Sequence, residues 1–246
     1  LGKEIQPLPL SYREEKTESH TLQAEEEAPQ CCQRDEAHAV KDVKIAPSPA
    51  WLRRRLSLVG VSAISNMVDI TNYVMLELGQ PMHAFDRRDL AGDRIVVRTA
   101  KEGEKLVTLD EQELTLSESN LLICDGEKPV GLAGIMGGLN SEIKDTTTAV
   151  VFEAAKFARD NIRRSARALG KRTDASAHFE KGTDEYTVVL AMKRALHLTE
   201  ELGAGTVTDE CAGKNTGNSI EKRPLTVSLS RVNGVLGIEV PGEAVC

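Results

Sequence analysis

The sequence predicts an α+β fold with a mainly antiparallel or mixed sheet. Short β-branched or leucine-rich segments fill the middle of the chain, and turn residues separate them. Helical patterns lie before and after these segments, without the regular alternation of a β-α-β fold. The 246 residues are enough to bury a sizeable core without disulfides or metals.

The predicted helices combine a helix-start residue before the first turn with apolar residues at helical spacing and a glycine after the last turn. They cover residues 49–59, 66–78, 161–169 and 184–202. The predicted strands are short and lie mostly between glycine- or aspartate-containing turns. They cover residues 94–100, 105–109, 113–116, 121–124, 130–135 and 149–154.

Composition divides the chain into a main domain and two flanks. Residues 1–45 carry ten acidic and six basic residues, which predicts a solvated arm or linker, although residues 40–45 could form a strand that leads into the core. Residues 46–213 hold the main domain and residues 214–222 form a linker. Residues 223–246 then begin a further small module, with a strand at 225–229 and a short helix that ends at Gly237.

Charge and composition exclude several functions. The 31 basic and 38 acidic residues argue against a broadly electrostatic nucleic-acid binder, although a local basic patch remains compatible with them. Aromatic residues make up only 3%, which argues against rows of stacked bases. No apolar run reaches the roughly 18 residues of a membrane span. The five cysteines lack a C-x-x-C pair, so a disulfide framework or metal site is not expected and a reducing cytoplasm fits best.

A glycine cluster at Gly131, Gly134, Gly137 and Gly138 is one candidate for ligand binding. No lysine–serine or lysine–threonine pair follows it, which argues against a phosphate loop, and the motifs of serine hydrolases and zinc proteases are absent. The cluster could form a tight turn whose backbone N–H groups face a ligand. A crowded strand–turn–strand is the alternative.

Two polar residues stand out beside apolar segments. His83 follows the second helix in a loop that Gly79 and Pro81 hold in place, where it could orient a ligand or shuttle a proton. The alternative is a structural histidine. Glu153 ends an apolar strand, where a carboxylate is costly unless another group pairs with it. It is therefore the best acidic candidate for function, with an ion pair to an arginine as the alternative.

Residues 161–182 form a basic stretch, with six basic against two acidic residues. A phosphate backbone would be attracted to it, and a solvated helix face is the alternative. The predicted tRNA-binding residues within it are Arg163, Arg164, Arg167, Lys171 and Arg172.

Four segments closely resemble the β subunit of bacterial phenylalanyl-tRNA synthetases. They are VDITNYVMLELGQPMHAFD at 68–86, AGIMGG at 133–138, EAAKF at 153–157 and RTDAS at 172–176. Their order and spacing also agree over about residues 30–212. The resemblance implies the central editing domain of that subunit at 46–213, with a three-layer α+β architecture and a β-sandwich of unusual topology flanked by helices.

The family's editing reaction hydrolyses tyrosine wrongly esterified to tRNA(Phe). By resemblance, Glu153 would accept the tyrosine hydroxyl proton in a hydrogen bond. Thr173 and Ala175 would line the ring pocket, and the small Ala175 would keep it open. Gly134 and Gly137 would let the backbone approach the aminoacyl group.

The resemblance also implies catalytic roles and partners. His83 would contact the terminal adenosine or the ester, and Asn72 would place the attacking water. One departure is Ser62, where many relatives carry an arginine that would help to place the tRNA end or a bound water. ATP and Mg²⁺ belong to the whole enzyme and not to this part of it. The implied partners are tRNA(Phe) and the synthetase α subunit in an α2β2 heterotetramer, with no DNA and no membrane. Two alternatives are a non-catalytic tRNA-binding module and a scaffold between subunits.

Overall fold

Two sheets that face each other form the centre of the molecule in a computed structural model, which describes residue 4, residues 6–215 and residues 224–245. The helices and strands follow in chain order. They are β1 (Gln23–Glu26), β2 (Cys32–Lys41), α1 (Ala50–Leu58), α2 (Asn66–Leu78), β3 (Met82–Asp86), β4 (Arg94–Thr99), β5 (Lys105–Val107), β6 (Glu113–Thr115), β7 (Leu121–Cys124), β8 (Pro129–Leu132), β9 (Met136–Gly137), β10 (Val150–Phe157), α3 (Arg159–Ala168), α4 (Asp174–Lys181), α5 (Glu185–Glu201), β11 (Thr206–Asn215), α6 (Leu229–Leu236) and α7 (Gly242–Val245).

The first sheet has four antiparallel strands in the order β11-β2-β10-β3. The second has five strands in the order β1-β4-β7-β8-β9, and it is mixed because β1 runs parallel to β4. A separate hairpin pairs β5 with β6. The predicted mainly antiparallel or mixed sheet is therefore confirmed.

Strand β10 shows how the layers are held together. Successive side chains of a strand point to opposite faces. Val151 and Ala155 lie in the apolar core shared with the five-stranded sheet, to which Ile162 of α3 and Phe179 of α4 also belong. Phe152 lies in a second core with residues of α1, α2 and α5. The molecule thus has a helical layer, a four-stranded sheet and a five-stranded sheet, which confirms the three-layer α+β prediction.

The four predicted helices are confirmed to within one or two residues as α1, α2, α3 and α5. The predicted strands are confirmed as β4, β5, β6, β7 and β10, but the strand predicted over 130–135 divides into β8, a turn and β9. The sequence prediction missed β1, most of β2, β3, α4 and β11. His83 therefore lies in a strand and not in a loop as predicted.

The prediction of a solvated arm over residues 1–45 is wrong for residues 22–41. Strand β2 lies between β10 and β11, and its Ala37 and Ala39 are fully buried. Ladder hydrogen bonds on both sides and the small size of these alanines hold the strand inside the sheet despite its many charges. The division of the chain into domains stays a prediction.

Two predictions near the end of the chain also change. Residues 225–228 form no strand, and Leu229 is the first residue of α6, which ends at Gly237 as predicted. Of the linker predicted over 214–222, Lys214 and Asn215 belong to β11, and residues 216–222 lie outside the described residues. A search of the described chain found no helix with the length and apolar character needed to cross a membrane.

Candidate functional site

A cavity of about 280 Å³ opens at one end of the sandwich. Residues of α2, β3, β8, β9, β10 and the start of α4 line it. The structure brings all seven predicted catalytic and substrate-binding residues to this cavity, which are Asn72, His83, Gly134, Gly137, Glu153, Thr173 and Ala175. Their roles stay predictions.

Glu153 and His83 lie directly opposite each other in the antiparallel pair of β10 and β3. Directly paired residues point to the same face of a sheet, so both side chains reach the cavity from one wall. Two chain segments that the sequence keeps far apart thus supply neighbouring polar groups.

Glu153 is nearly enclosed, with 4% of the residue exposed. Its Oε1 has no hydrogen-bond partner, and the ion pairs among the described residues do not include it. The predicted alternative of an ion pair with an arginine is therefore wrong. Burial and, secondarily, the charge of Asp35 raise the pKa of Glu153 well above its usual value. Both causes favour the neutral carboxyl over the carboxylate.

The imidazole of His83 is half-buried, but its Nε2 is fully buried and has no hydrogen-bond partner. Burial lowers the pKa of His83 to about 4. The ring packs edge-on against Phe85 with 4.4 Å between ring centroids. His83 is therefore neutral near pH 7, so it can donate or accept a hydrogen bond but does not supply a positive charge.

Glycines shape the wall opposite Glu153. Gly134 occupies the turn between β8 and β9 with φ +67°, in the left-handed region that glycine adopts without strain. At Gly137, an added Cβ would lie 2.3 Å from Cε1 of His83. The cluster thus forms a strand–turn–strand, and its lack of side chains also allows the backbone to approach the cavity.

Thr173 holds the N-terminus of α4 against this turn. Its hydroxyl accepts a hydrogen bond from the Ser176 backbone N–H at 3.1 Å and donates one to the Ile135 carbonyl at 2.8 Å. The Thr173 N–H in turn donates to Ser176 Oγ, which completes a capping box. Because its hydroxyl is engaged in this way, Thr173 positions α4 and the neighbouring Ala175 at the cavity.

Asn72 lies on α2 with its side chain half-buried, and no side-chain hydrogen bond of Asn72 occurs within the described part of the chain. Its amide is free to bind a ligand or a water. Ser62 is exposed in the loop between α1 and α2 and does not line the cavity.

The predicted tRNA-binding residues separate into three groups. Arg163, Arg167 and Arg172 line a groove of about 530 Å³ between α3 and α4, together with Lys181 and Glu180, and we call this the basic groove. Arg164 is exposed on another face of α3. Lys171 is 7% exposed and forms an ion pair with Asp110. Its ammonium group is therefore not available to a phosphate, contrary to the prediction. Lys171 is buried because it lies in the short connection between α3 and α4.

Residues near the cavity that the sequence prediction missed include Asp35 and Gln80. Asp35 lay within the predicted arm. Its one sequence signal was its position two residues before Ala37, since residues two apart in a strand lie on the same face. Gln80 is fully buried and donates from Nε2 to the carbonyl of Ala155 at 2.9 Å. No cluster of three or more metal-ligating side chains occurs among residues that the structure describes.

Comparison with known proteins supplies a family and several relatives. The B3/4 domain family model matches residues 31–204. The chain is 45% identical over 250 residues to the phenylalanine–tRNA ligase beta subunit of Syntrophus aciditrophicus, which covers 98% of this chain and 30% of that protein. It is 41% identical over 246 residues to the same subunit of Geobacillus kaustophilus, again with 30% of that protein covered. The chain thus spans under a third of these relatives.

A solved structure has a similar fold. It is an N-terminal fragment of the phenylalanyl-tRNA synthetase beta subunit from Pyrococcus horikoshii, with a TM-score of 0.55 and 16% sequence identity. The similarity covers 96% of this chain and 64% of that one. At this identity the comparison supports the fold alone.

Proposed function

The chain belongs to the B3/4 domain family, and on that premise we propose that it is the editing domain of a phenylalanine–tRNA ligase β subunit. Its reaction would be hydrolysis of tyrosine wrongly esterified to tRNA(Phe). The observation that carries this proposal is the cavity, which joins an apolar interior to one buried carboxyl with an unpartnered oxygen.

The cavity suits one aromatic amino acid. Its volume of about 280 Å³ lies near the lower end of the roughly 300–1,000 Å³ range of small-molecule sites. Phe157 and Phe179, whose ring centroids are 5.1 Å apart, form part of its apolar wall. Such a wall accepts an aromatic ring but provides no discrimination between tyrosine and phenylalanine.

Discrimination requires a polar partner for the tyrosine hydroxyl. An apolar pocket rejects an added hydroxyl only modestly, whereas a site built to hydrogen-bond it rejects the analogue that lacks it by ~10⁴-fold or more. Glu153 is that partner in our proposal, because it reaches the cavity and its Oε1 bonds to no other group. The site thus selects tyrosine positively.

Hydrolysis needs a placed water and no protein nucleophile, because an aminoacyl ester is already activated. No serine or cysteine is among the described residues that line the cavity. In the proposed mechanism the free amide of Asn72 holds the water. The neutral imidazole of His83 contacts the terminal adenosine or the ester as an uncharged hydrogen-bonding group. Gly134 and Gly137 leave room for the aminoacyl group.

The remaining partners follow from the relatives and are part of the proposal. The basic groove would bind the phosphate backbone of tRNA(Phe), since Arg163, Arg167 and Arg172 are exposed and form no ion pair within the described residues. An α subunit would complete an α2β2 enzyme in the cytoplasm. ATP and Mg²⁺ would act elsewhere in that enzyme.

The proposal is tested by single-turnover deacylation of Tyr-tRNA(Phe) with the full synthetase that carries Glu153→Ala. Loss of this partner leaves a buried hydroxyl unpaired, which costs about 1–3 kcal/mol, or roughly a 5- to 150-fold slower reaction. Charging with phenylalanine should stay near normal. Glu102→Ala, on an exposed glutamate away from the cavity, is the matched control. Wild-type hydrolysis rates in Glu153→Ala would contradict the proposal.

The basic groove favours a second candidate, a tRNA-binding module without catalysis. The same assay separates the two functions. If the wild-type synthetase binds tRNA(Phe) through this domain but leaves Tyr-tRNA(Phe) intact, the second candidate is correct.

A further inference from the structure

Two buried carboxyl groups lie next to each other on the inner face of the four-stranded sheet. Asp35 of β2 pairs with Ala155, and Glu153 of β10 pairs with Ala37. The two acids are therefore diagonal neighbours on one face, a relation in which residues lie roughly 7–8 Å apart. Asp35 is 1% exposed and Glu153 is 4% exposed.

The pair has no salt-bridge partner among the described residues. Both carboxyl oxygens of Asp35 and Oε1 of Glu153 have no hydrogen-bond partner, and neither residue forms an ion pair within the described chain. The neighbouring titratable groups are Glu26 of β1, Cys32 of β2 and His83 of β3, which is neutral. Lys214 of β11 is paired with Asp35 in the sheet, but its side chain is exposed and forms no ion pair with Asp35 within the described chain.

Two like charges on neighbouring residues in an apolar interior repel each other, so ionisation of one carboxyl group disfavours ionisation of the other. We propose that Asp35 is a specificity-determining positioning residue, which keeps a proton on the Asp35–Glu153 pair so that Glu153 presents an uncharged carboxyl to the cavity. This inference rests on the proposed editing function. Asp35 does not line the cavity and acts only through Glu153.

The titration behaviour of the pair agrees with this geometry. Burial, together with the charges of Glu26 and Glu36, raises the pKa of Asp35 to about 7. The pKa of Glu153 is raised by burial and by Asp35. Deprotonation of Asp35 therefore makes deprotonation of Glu153 harder.

An uncharged Glu153 has a clear advantage for reading a phenol. A carboxylate can only accept a hydrogen bond, whereas a neutral carboxyl donates one and accepts one. The neutral form can therefore satisfy both the hydrogen and the oxygen of the tyrosine hydroxyl. The neutral carboxyl also places no net charge between the two sheets.

The first test compares pH profiles of Tyr-tRNA(Phe) deacylation by the full synthetase, corrected for spontaneous ester hydrolysis. Asp35→Asn removes the neighbouring charge, so the alkaline fall in activity should move to lower pH by about one unit or more. Activity on the acidic side should stay within about twofold of wild type. Glu153→Gln is neutral at every pH, so whatever activity it has should show no alkaline fall.

The matched control is Asp42→Asn, because Asp42 is exposed just after β2 and asparagine tolerates its φ of +51°. Its profile should match the wild type. A purely structural role for Asp35 predicts a uniform loss at all pH values, in proportion to the fall in melting temperature. A uniform loss, or an alkaline limb that does not move, would overturn the inference.

The second test needs no tRNA. Carbon-13 NMR of the labelled synthetase follows the Glu153 carboxyl directly, with assignment by the Glu153→Gln variant. We expect a protonated Glu153 at pH 7 in the wild type and a lower pKa in Asp35→Asn. An ionised Glu153 at pH 7 overturns the pairing even if Tyr-tRNA(Phe) is hydrolysed. A protonated Glu153 in an enzyme that does not hydrolyse Tyr-tRNA(Phe) overturns the editing function and, with it, the specificity role.

Discussion

The cavity and the basic groove differ in the burial and the charge of their polar side chains. At and beside the cavity, Glu153, His83 and Asp35 have buried polar atoms without partners, and burial favours their uncharged forms. In the groove, Arg163 and Arg167 remain in water with their charges intact.

This difference determines how each region responds to mutation. Interactions in a low-dielectric interior are strong and depend on the positions of single atoms, whereas exposed charges act weakly and roughly in proportion to their number. We therefore expect large effects from single changes around the cavity and small, additive effects from changes in the groove.

The largest expected effect concerns stability and pH. The pKa of Asp35 is about 7 in the folded protein, against an ordinary value of 3.8. The folded protein is therefore more stable when Asp35 is protonated. That stability is fully present below about pH 4 and is lost as pH rises through 7. Asp35→Asn should remove this loss. Urea denaturation from pH 4.5 to 8 measures it.

The same experiment can contradict the expected difference between the cavity and the groove. Carboxylates such as Asp86 and Asp93, whose pKa values are lowered by hydrogen bonds to arginines, act in the opposite direction but below pH 4. If the difference between wild type and Asp35→Asn is constant from pH 4.5 to 8, Asp35 titrates normally and the cavity is no more sensitive than the surface.

The next effect concerns the wall of the cavity. In Gly137→Ala the new methyl group would overlap His83, which must move. A displacement of about 1 Å at a reacting site can slow a reaction about 100-fold, and we expect a loss of that size in Tyr-tRNA(Phe) deacylation. Gly131→Ala is the control, because its methyl would meet no atom closer than 3.7 Å. Equal rates in the two variants would show that His83 does not need its present position.

The groove predicts smaller effects. Arg163→Ala combined with Arg167→Ala should lower the slope of tRNA affinity against salt by roughly 0.7–0.9 for each lost phosphate contact. Arg164→Ala, on the same helix but outside the groove, should change the slope little. Fluorescence anisotropy over a salt series measures this. An equal change in Arg164→Ala would indicate a diffuse charge effect and not a groove.

The smallest effect is at the helix cap that joins the two regions. Thr173→Ala removes the capping hydroxyl of α4 and should cost about 1 kcal/mol, or a melting temperature lower by roughly 2–4 °C. Thr173→Ser keeps the hydroxyl and should melt close to wild type. A larger fall than this would show that the cap also holds the cavity together.

Sequence reasoning worked best where the relevant property belongs to single residues or to local spacing. Helix caps and apolar spacing predicted α1, α2, α3 and α5, and the basic composition of residues 161–182 singled out the stretch that contains the arginines of the groove. It could not predict that Lys171 is withdrawn from the groove, because its partner Asp110 lies 61 residues away. The charge of an isolated stretch does not reveal which of its members are already neutralised.

The cavity illustrates the same limit. The resemblance named seven residues that do meet there, but burial and protonation depend on strand register. Strand β2 looked like a solvated arm because three charged residues, Arg34 to Glu36, precede two alanines, and alanine gives a weak strand signal. Asp35 was missed for that reason, although its position beside Glu153 follows at once from the pairing of β2 with β10.

The position of β2 also sets an order of events during synthesis. Its Ala37 pairs with Glu153 on one side and with Ala212 on the other, so the strand leaves the ribosome long before either neighbour exists. At about 5–20 residues per second, the wait is roughly 6 to 35 seconds. An unpaired strand is a template for aggregation, and charged side chains oppose this. Arg34, Asp35 and Glu36 therefore protect the nascent chain with the same polarity that conceals β2 in the sequence.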